Sequence, residues 1–229
     1  MRAWDWSGFF DYLVNPYLLL GAWETLWLTA AAMVFGLALG FALAILRRSR
    51  QRILSGPAAA YIWFFRGTPL LVQLIVIYTG LPQAGIRFGV LASALIGLSM
   101  NEAAYLAEII RSGLAAVPEG QILAGRALGL RELQIMRLVV VPQAMRIILP
   151  PLGNSVNGML KATSIASVIS VEELLRRTQE LVQERFEVLE LFSVAALYYL
   201  AMTTAWGLVQ NRIEARFGRA DLVTPTADG

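Results

Sequence analysis

Several windows of about 20 residues in this 229-residue chain carry few or no charged side chains. A helix of about 20 apolar residues is long enough to cross the hydrocarbon core of a bilayer, where every backbone polar group must be hydrogen-bonded within the protein. Apolar residues make up 57% of the sequence and charged residues only 15%, which is unlike an ordinary soluble domain. The sequence therefore predicts an all-α, polytopic membrane protein.

Five spans are predicted from the positions of the apolar windows. They run from about Thr25 to Leu46, Ala58 to Leu81, Phe88 to Ile110, Ile147 to Ile169 and Val188 to Val209. In the second window, Gly67 and Pro69 are expected to interrupt the helix. In the first, Gly36 and Gly40 are spaced so that another helix can approach closely.

The distribution of arginine predicts how the spans are oriented. With five spans, 12 arginines fall on one side of the membrane and 5 on the other. The side that is rich in arginine is expected to be cytoplasmic. This places the N-terminus outside and the C-terminus in the cytoplasm. Residues 1–24 are predicted to be an aromatic interfacial segment, residues 25–212 the transmembrane domain and residues 213–229 a cytoplasmic tail.

Several kinds of chemistry are made improbable by residues that the sequence lacks. It contains no cysteine and no histidine, and its four aspartates lie near the two termini. Thiol or histidine catalysis, His-ligated metals and an intramembrane aspartyl pair are therefore not expected. No GxxxxGK[ST] phosphate-binding loop is present either. We expect no enzyme activity, no metal, no cofactor and no nucleic-acid partner, since topology explains the arginine clusters.

A basic segment at about residues 114–146 separates the third and fourth spans. Gln121 to Leu128 is predicted to form a short helix that Gly129 ends in the left-handed conformation, and a second helix is predicted from Arg131. Pro142 is expected to break or kink this second helix just before the fourth span. Two short helices fixed to two spans suit a protein contact that transmits motion. An interfacial hairpin without a partner is the alternative that the residues leave open.

Charged residues within the predicted spans mark a candidate pathway. Lys161, the only lysine, lies in the fourth span, and Glu102 and Glu108 lie in the third. Charges at membrane depth are costly and face the bundle interior or a wet cavity. They either pair with one another, or Lys161 and Glu102 bind the carboxylate and the amine of a zwitterionic solute. Thr163 and Ser164 are predicted to lie on the same pathway.

Residues Gly120 to Pro151 resemble the EAA-type coupling loop of ABC importer permeases of the polar amino-acid uptake family. The family's pattern GQxEAxRALGL, followed by PQAxRxxLPPLxN, is matched by GQILAGRALGL and PQAMRIILPPLGN. FFRGTPLLVQLIVIY, AYLAEIIRSG and MLKATSIASVISVEELLRRTQE are similar, in order, to the second, third and fourth spans of the family. This chain departs from the family at Leu123, where Glu is usual, and at Ala162, where an acidic residue is usual.

The resemblance implies a type I ABC importer transmembrane-domain fold in the bacterial inner membrane. An extracytoplasmic binding protein would deliver a polar amino acid to it, and a second permease subunit, identical or a sister, would complete the path. Two separate ATPase subunits would hydrolyse ATP. The helix predicted at about residues 171–186 would lie outside and face the binding protein.

The resemblance also assigns roles to residues. Those implied to dock on the ATPase are Leu123, Ala124, Gly125, Arg126, Ala127 and Gly129. Gating or structural roles are predicted for Arg66, Glu108 and Pro142. Two alternatives remain: the same architecture importing another small polar solute, such as an opine or a compatible solute, and a secondary transporter. The second is disfavoured because no inverted repeat is visible in the sequence.

Overall fold

The regular elements of this protein are all helices. The computed structural model describes residues 4–218 and contains no strand in that range. Its α-helices are α1 (Trp6–Leu13), α2 (Pro16–Arg47), α3 (Arg52–Gly67), α4 (Leu70–Ile75), α5 (Val90–Ala115), α6 (Glu119–Ala127), α7 (Glu132–Ile135), α8 (Val141–Ala162), α9 (Leu174–Arg185) and α10 (Val188–Gly218). Turns of π- or 3-10-helix extend three of them: Val76–Gly80 and Leu81–Ala84 after α4, Met136–Val140 between α7 and α8, and Thr163–Ile169 after α8.

Four of the helical stretches are long and apolar enough to cross a membrane. They are Pro16–Arg47, Val90–Ala115, Glu132–Ile169 and Val188–Phe217. A fifth span results if α3 and the α4 segment, which meet at 107°, cross as one bent pair. The bend lies between Gly67 and Leu70, where the sequence predicted an interruption. The prediction of an all-α, multi-pass membrane protein is confirmed.

The first span begins earlier than the predicted Thr25. The side-chain oxygen of Asn15 accepts a hydrogen bond of 2.8 Å from the backbone N–H of Tyr17, and Pro16 occupies the first helical position. Asn as the cap followed by Pro is a strong signal for a helix start. Because α2 starts at Pro16, the last third of the segment predicted to be interfacial is helical and continuous with the span. Leu18 in this part is fully buried.

Helices α2 and α5 pack against each other where the paired glycines lie. A Cβ atom at Gly36 would lie 3.3 Å from the Cβ of Glu102, and one at Gly40 would lie 2.9 Å from the carbonyl oxygen of Ala103. Side chains at these two positions would force the helices apart. The predicted close approach at Gly36 and Gly40 is therefore confirmed.

Pro142 does not break its helix, although a break was one of the two outcomes predicted for it, and the other outcome, a kink, stays a prediction. A continuous helical stretch runs from Glu132 to Ile169 and contains Pro142, Pro150 and Pro151. The π-helical turn Met136–Val140 comes directly before Pro142, which occupies one of the first two positions of α8. Within a continuous helix, proline has no N–H to donate to the preceding turn and its ring crowds the carbonyl four residues before it, and single π-helical turns of this kind occur within α-helices. The local change of winding therefore accommodates Pro142 without ending the helix.

The last helix extends past the predicted end of its span at Val209. Its side chains reach α8: the indole Nε1 of Trp206 donates a hydrogen bond of 2.8 Å to the backbone carbonyl of Gly153. The helix continues to Gly218. The first part of the predicted tail is therefore helical, and residues 219–229 lie outside the described residues.

Candidate functional site

A cavity of about 520 Å³ opens between α3, α4, α5 and α8. Ligand sites in proteins are typically about 300–1,000 Å³ and combine apolar walls with a few polar groups. This cavity has both. Its polar lining residues are Arg66, Asn101, Glu102, Glu108, Ser112 and Ser155. Its walls are completed by aromatic, aliphatic and small residues that include Leu70, Tyr105, Ile109, Gly158, Met159 and Ala162.

One carboxylate of the cavity is paired with two arginines. Glu108 accepts hydrogen bonds from Arg111, with Nη2–Oε2 at 2.8 Å and Nε–Oε1 at 3.1 Å. Nη1 of Arg66 lies 3.9 Å from Oε2 of Glu108, and its guanidinium lies over the ring of Tyr105, 5.5 Å from the centroid. Charges within a membrane protein require such partners. The pairing supports the predicted structural or gating role of Arg66 and Glu108.

The other carboxylate of the cavity, that of Glu102, forms no ion pair with a residue of the described range, and it is hydrogen-bonded to the side chain of Ser155. Glu102 is only 8% exposed, and among residues 4–218 no hydrogen-bond partner is found for its Oε1 atom. A buried polar atom without a partner is costly unless a ligand or water satisfies it. Glu102 also lines the cavity, and because its Oε1 atom is shielded from solvent, a cationic group that enters would reach this atom only after a small movement of the side chain.

The remaining predicted pathway residues lie beside the cavity. Lys161 is exposed and is not part of the lining, and within residues 4–218 it forms no ion pair with Glu102 or Glu108. The hydroxyl of Thr163 donates to the carbonyl of Leu160, and that of Ser164 to the carbonyl of Lys161. Direct pairing of Lys161 with the carboxylates of α5 is thus not the arrangement in this structure. A role for these three residues in transport stays a prediction.

The break between α3 and α4 is held by amide side chains. Nε2 of Gln73 donates hydrogen bonds to the backbone carbonyls of Phe65 and Thr68, at 3.0 and 3.1 Å. Nδ2 of Asn101 donates to Oε1 of Gln73 at 3.0 Å and so ties the break to α5. Broken backbone at membrane depth is tolerated where its polar groups are satisfied in this way. Sequence reasoning missed Gln73, although a single amide within an apolar run was the available signal.

The basic segment between the third and fourth spans has the two helices that the sequence predicted. Gly129 has φ +77°, and the N–H of Leu130 bonds back to the carbonyl of Gly125 at 3.1 Å, which is a left-handed helix end. Arg126 and Glu132 form an exposed ion pair, with Nε–Oε1 at 2.8 Å. The left-handed position predicted for Gly129 is confirmed.

Five of the six predicted docking residues are exposed on this segment. They are Leu123, Ala124, Arg126, Ala127 and Gly129. Gly125 is buried instead, because a Cβ there would lie 3.1 Å from the side chain of Ile135. Gly125 therefore lets α6 lie against α7, and the surface open to a partner consists of its neighbours. Leu123 is 53% exposed and Leu128 is 80% exposed.

A metal centre finds no support in the described part of the chain. Within residues 4–218, no group of three or more His, Cys, Asp or Glu side chains is placed to hold a metal ion.

Comparison with protein families gives one match that spans most of the chain. Residues 9–219 match the family described as binding-protein-dependent transport system inner membrane component. Curated relatives are also found. The chain is 38% identical to the arginine transport system permease protein ArgU of Corynebacterium glutamicum, over 99% of this chain and 76% of the relative. It is 36% identical to the glutamine transport system permease protein GlnP of Escherichia coli K12, over 93% of this chain and 97% of the relative.

Two further comparisons bear on the solute and on the fold. The octopine transport system permease protein OccM of Rhizobium meliloti is 42% identical over 81% of this chain and 79% of its own length. Among solved structures, the crystal structure of an amino acid ABC transporter with histidines matches with a TM-score of 0.88 at 36% identity. That match covers 94% of this chain and all of the matched chain.

Proposed function

We propose an amino-acid transport function for this chain, which belongs to the family of inner-membrane components of binding-protein-dependent transport systems. It acts as a permease subunit of an ABC importer in the bacterial cytoplasmic membrane and passes a polar amino acid inwards. ATP is hydrolysed by two separate ATPase subunits, and an extracytoplasmic binding protein delivers the solute. The relatives that transport arginine and glutamine, and the solved amino-acid transporter, support the class of solute.

The observation that carries the proposal is Glu102 in the cavity, which no cationic side chain of residues 4–218 neutralises. Ser155 is hydrogen-bonded to its carboxyl group and its Oε1 atom has no partner among the described residues, whereas Glu108 in the same cavity is paired with arginine. A carboxylate without a cationic partner suits the amino group that every amino acid carries. Lys161 follows the lining residues Gly158 and Met159 on α8 and attracts the carboxylate of the solute at the edge of the cavity. Thr163 and Ser164 continue the pathway beyond it.

The proposed orientation has the N-terminus outside and the arginine-rich segment between α5 and α8 in the cytoplasm. The unequal arginine counts support it. Leu123, Ala124, Arg126 and Ala127 then form the surface on which the ATPase docks, and Gly129 fixes the angle at which α6 ends. The exposure of these residues supports that role, since a docking surface has to be accessible to its partner. Helix α9 then lies outside, where the binding protein docks.

A second permease subunit, identical or a sister, is part of the proposal. The cavity is bounded by α3, α4, α5 and α8 of one chain and remains open on its other side. Four or five spans are few for a closed path, so a neighbouring permease has to complete the wall.

An opine is the second candidate for the solute. The similarity to an octopine permease favours it, at an identity slightly above that of the arginine and glutamine permeases. Opines carry amino and carboxylate groups as amino acids do, and Glu102, which has no cationic partner among the described residues, suits both. Uptake measurements with both kinds of solute therefore have to distinguish the amino acid from the opine.

The test is uptake by proteoliposomes that contain the permease and its ATPase, with ATP inside and the binding protein outside. The external solution offers the twenty labelled amino acids, and in a parallel sample octopine. We expect ATP-dependent accumulation of at least one polar amino acid. Glu102→Gln should raise the half-saturating concentration by about tenfold or more, since a hydrogen bond to a charged group contributes roughly 1.5–3 kcal/mol.

A matched control removes a carboxylate that does not line the cavity. Asp11 is exposed on α1, and Asp11→Asn should leave the half-saturating concentration unchanged. Accumulation of octopine alone would favour the second candidate. If neither solute accumulates although the ATPase complex is intact, the proposed function is wrong.

A further inference from the structure

Helix α9 is fastened to the spans through a buried carboxyl group, that of Glu173. This residue is fully buried, although it lies in the most strongly charged part of the sequence. Its two oxygens accept hydrogen bonds from the backbone N–H groups of Leu175 and Arg176, at 2.8 and 2.7 Å, and so cap the start of α9. The hydroxyl of Tyr199, on α10, donates a third bond at 3.0 Å. Burial raises the pKa of the Glu173 carboxyl, and the three donors act in the opposite direction.

The same end of α9 is in direct contact with α2. The N–H of Leu174 donates to Oγ1 of Thr25 at 3.3 Å, and Thr25 is itself fully buried. A Cβ atom at Gly21 would lie 2.9 Å from the Cα of Leu174, so the two backbones touch. Further along α9, the guanidinium of Arg177 lies over the ring of Tyr17 at 4.4 Å. Helix α9 therefore cannot shift without moving the adjoining end of α2.

Helix α2 leads from this contact to the wall of the cavity. Gly21 and Gly36 are separated by 15 residues of one uninterrupted helix, which corresponds to roughly 22 Å along its axis. At Gly36 the helix lies against the Cβ of Glu102, the cavity residue whose carboxylate has no cationic partner among the described residues. One uninterrupted helix thus contacts α9 at one end and the side chain of Glu102 further along.

We propose that Glu173 is a positioning residue for transport, which locks α9 to α2 and α10 so that a binding protein docked on α9 displaces the helix that backs Glu102. The inference rests on the proposed function, because it requires an external binding protein and an ATPase. In this proposal the exposed residues Gln183, Glu184 and Arg185 of α9 contact the binding protein. The buried face of α9 passes the resulting displacement to α2.

The test measures how strongly the binding protein stimulates ATP hydrolysis by the complete complex in nanodiscs. The binding protein is loaded from a mixture of the twenty amino acids. We expect Glu173→Gln and Tyr199→Phe to leave basal hydrolysis and the affinity for the binding protein unchanged, while the stimulation falls at least about fivefold. Coupling between two sites typically corresponds to roughly 5- to 150-fold.

Tyr198→Phe is the matched control for Tyr199→Phe. The hydroxyl of Tyr198 donates a bond of similar length, 2.8 Å, but to the carbonyl of Leu13 and not to α9. Its removal should leave the stimulation intact. If Glu173→Gln fails to assemble, Tyr199→Phe still removes the bond between Glu173 and α10. Thr25→Val removes the bond between Leu174 and α2 together with the hydrogen bond between Thr25 and Tyr199. Either substitution should reduce the stimulation.

Three outcomes would overturn the inference, and they are distinguishable. Full stimulation in Glu173→Gln and Tyr199→Phe would show that the lock is not needed. An equal fall in basal and stimulated hydrolysis would show that these residues only support the fold. Absence of stimulation in the unaltered complex would contradict the proposed function itself, and the inference with it.

Discussion

Helices α6 and α9 both lie between spans, yet they are held by opposite means. α6 rests on α7 through Gly125 and Ile135, its ion pair between Arg126 and Glu132 is exposed, and its leucines face outwards. α9 is capped by a buried carboxylate that also binds α10. Exposed ion pairs contribute little to stability, whereas buried polar networks are costly to disturb. The comparison indicates that α6 is shaped for a partner, while α9 is shaped for its attachment to the spans.

The largest expected effect comes from Glu173→Ala. It removes a helix cap and strands the hydroxyl of Tyr199, so the free energy of unfolding should fall by roughly 2–4 kcal/mol. The measurement is the thermal and denaturant unfolding of the purified protein in detergent. Glu132→Ala, which removes the exposed ion pair at α6, is the control and should leave the unfolding temperature unchanged. Equal effects of the two substitutions would contradict the distinction between the helices.

The difference between α9 and α6 can also be tested by two glycine-to-alanine substitutions, each of which adds one methyl group. One lies at the contact of α2 with α9, and the other lies in α6. Gly21→Ala places a Cβ against the backbone of Leu174, and overpacking of this kind costs about 1–3 kcal/mol. Gly120 in α6 has no described atom within 4 Å of such a Cβ, so Gly120→Ala should stabilise its helix by about 0.5–1 kcal/mol. Unfolding in detergent measures both. If Gly21→Ala leaves the free energy of unfolding unchanged, α9 can move relative to α2.

Alanine substitutions at two glycines with left-handed backbone conformation distinguish an effect on stability from an effect on docking of the ATPase. Gly129 has φ +77° and Gly85 has φ +84°, and no described atom lies within 4 Å of a Cβ at either position. Substitution by alanine at either position should lower the free energy of unfolding by about 1–2 kcal/mol, because the left-handed backbone conformation strains any residue that has a Cβ. Only Gly129→Ala should also weaken binding of the ATPase, because it changes the angle at which α6 ends. Co-purification of the ATPase with each variant measures the difference. If the two variants lose the same amount of bound ATPase, the loss is caused by lower stability and not by a changed docking surface.

Much of the fold follows from patterns that the sequence displays. The apolar windows predict the spans, the glycine pair in α2 predicts the contact with α5, and Gly129 predicts a helix end. The start of α2 at Pro16 was missed, although Asn15 followed by proline is a local signal. Pro142 was expected to break or kink its helix. The break does not occur, and the sequence does not reveal the π-helical turn that precedes this proline.

The candidate site was harder to predict, because the pattern does not tell which of two neighbouring polar residues is buried. Glu172 and Glu173 are adjacent and chemically identical, yet the side chain of Glu172 is 64% exposed and Glu173 is fully buried. The difference arises from Tyr199 and Thr25, which are distant in sequence. Glu102 was identified from its charge at membrane depth, whereas Gln73 was missed, since its partners exist only in the folded chain.

The smallest expected effect on stability, and the finest test of the docking surface, is Leu123→Glu. Leu123 is 53% exposed, so the free energy of unfolding should change by less than about 0.5 kcal/mol.

If the ATPase of this transporter has an apolar groove that matches Leu123, a carboxylate there must be desolvated, and docking should weaken by about 1–3 kcal/mol. Leu133→Glu, at a position that is 60% exposed on α7, is the matched control and should leave docking unchanged. Titration of the ATPase against the permease in nanodiscs measures both affinities. Unchanged or tighter docking of Leu123→Glu would show that the groove still accepts the acidic residue usual in the family, and that α6 is not specialised for an apolar partner.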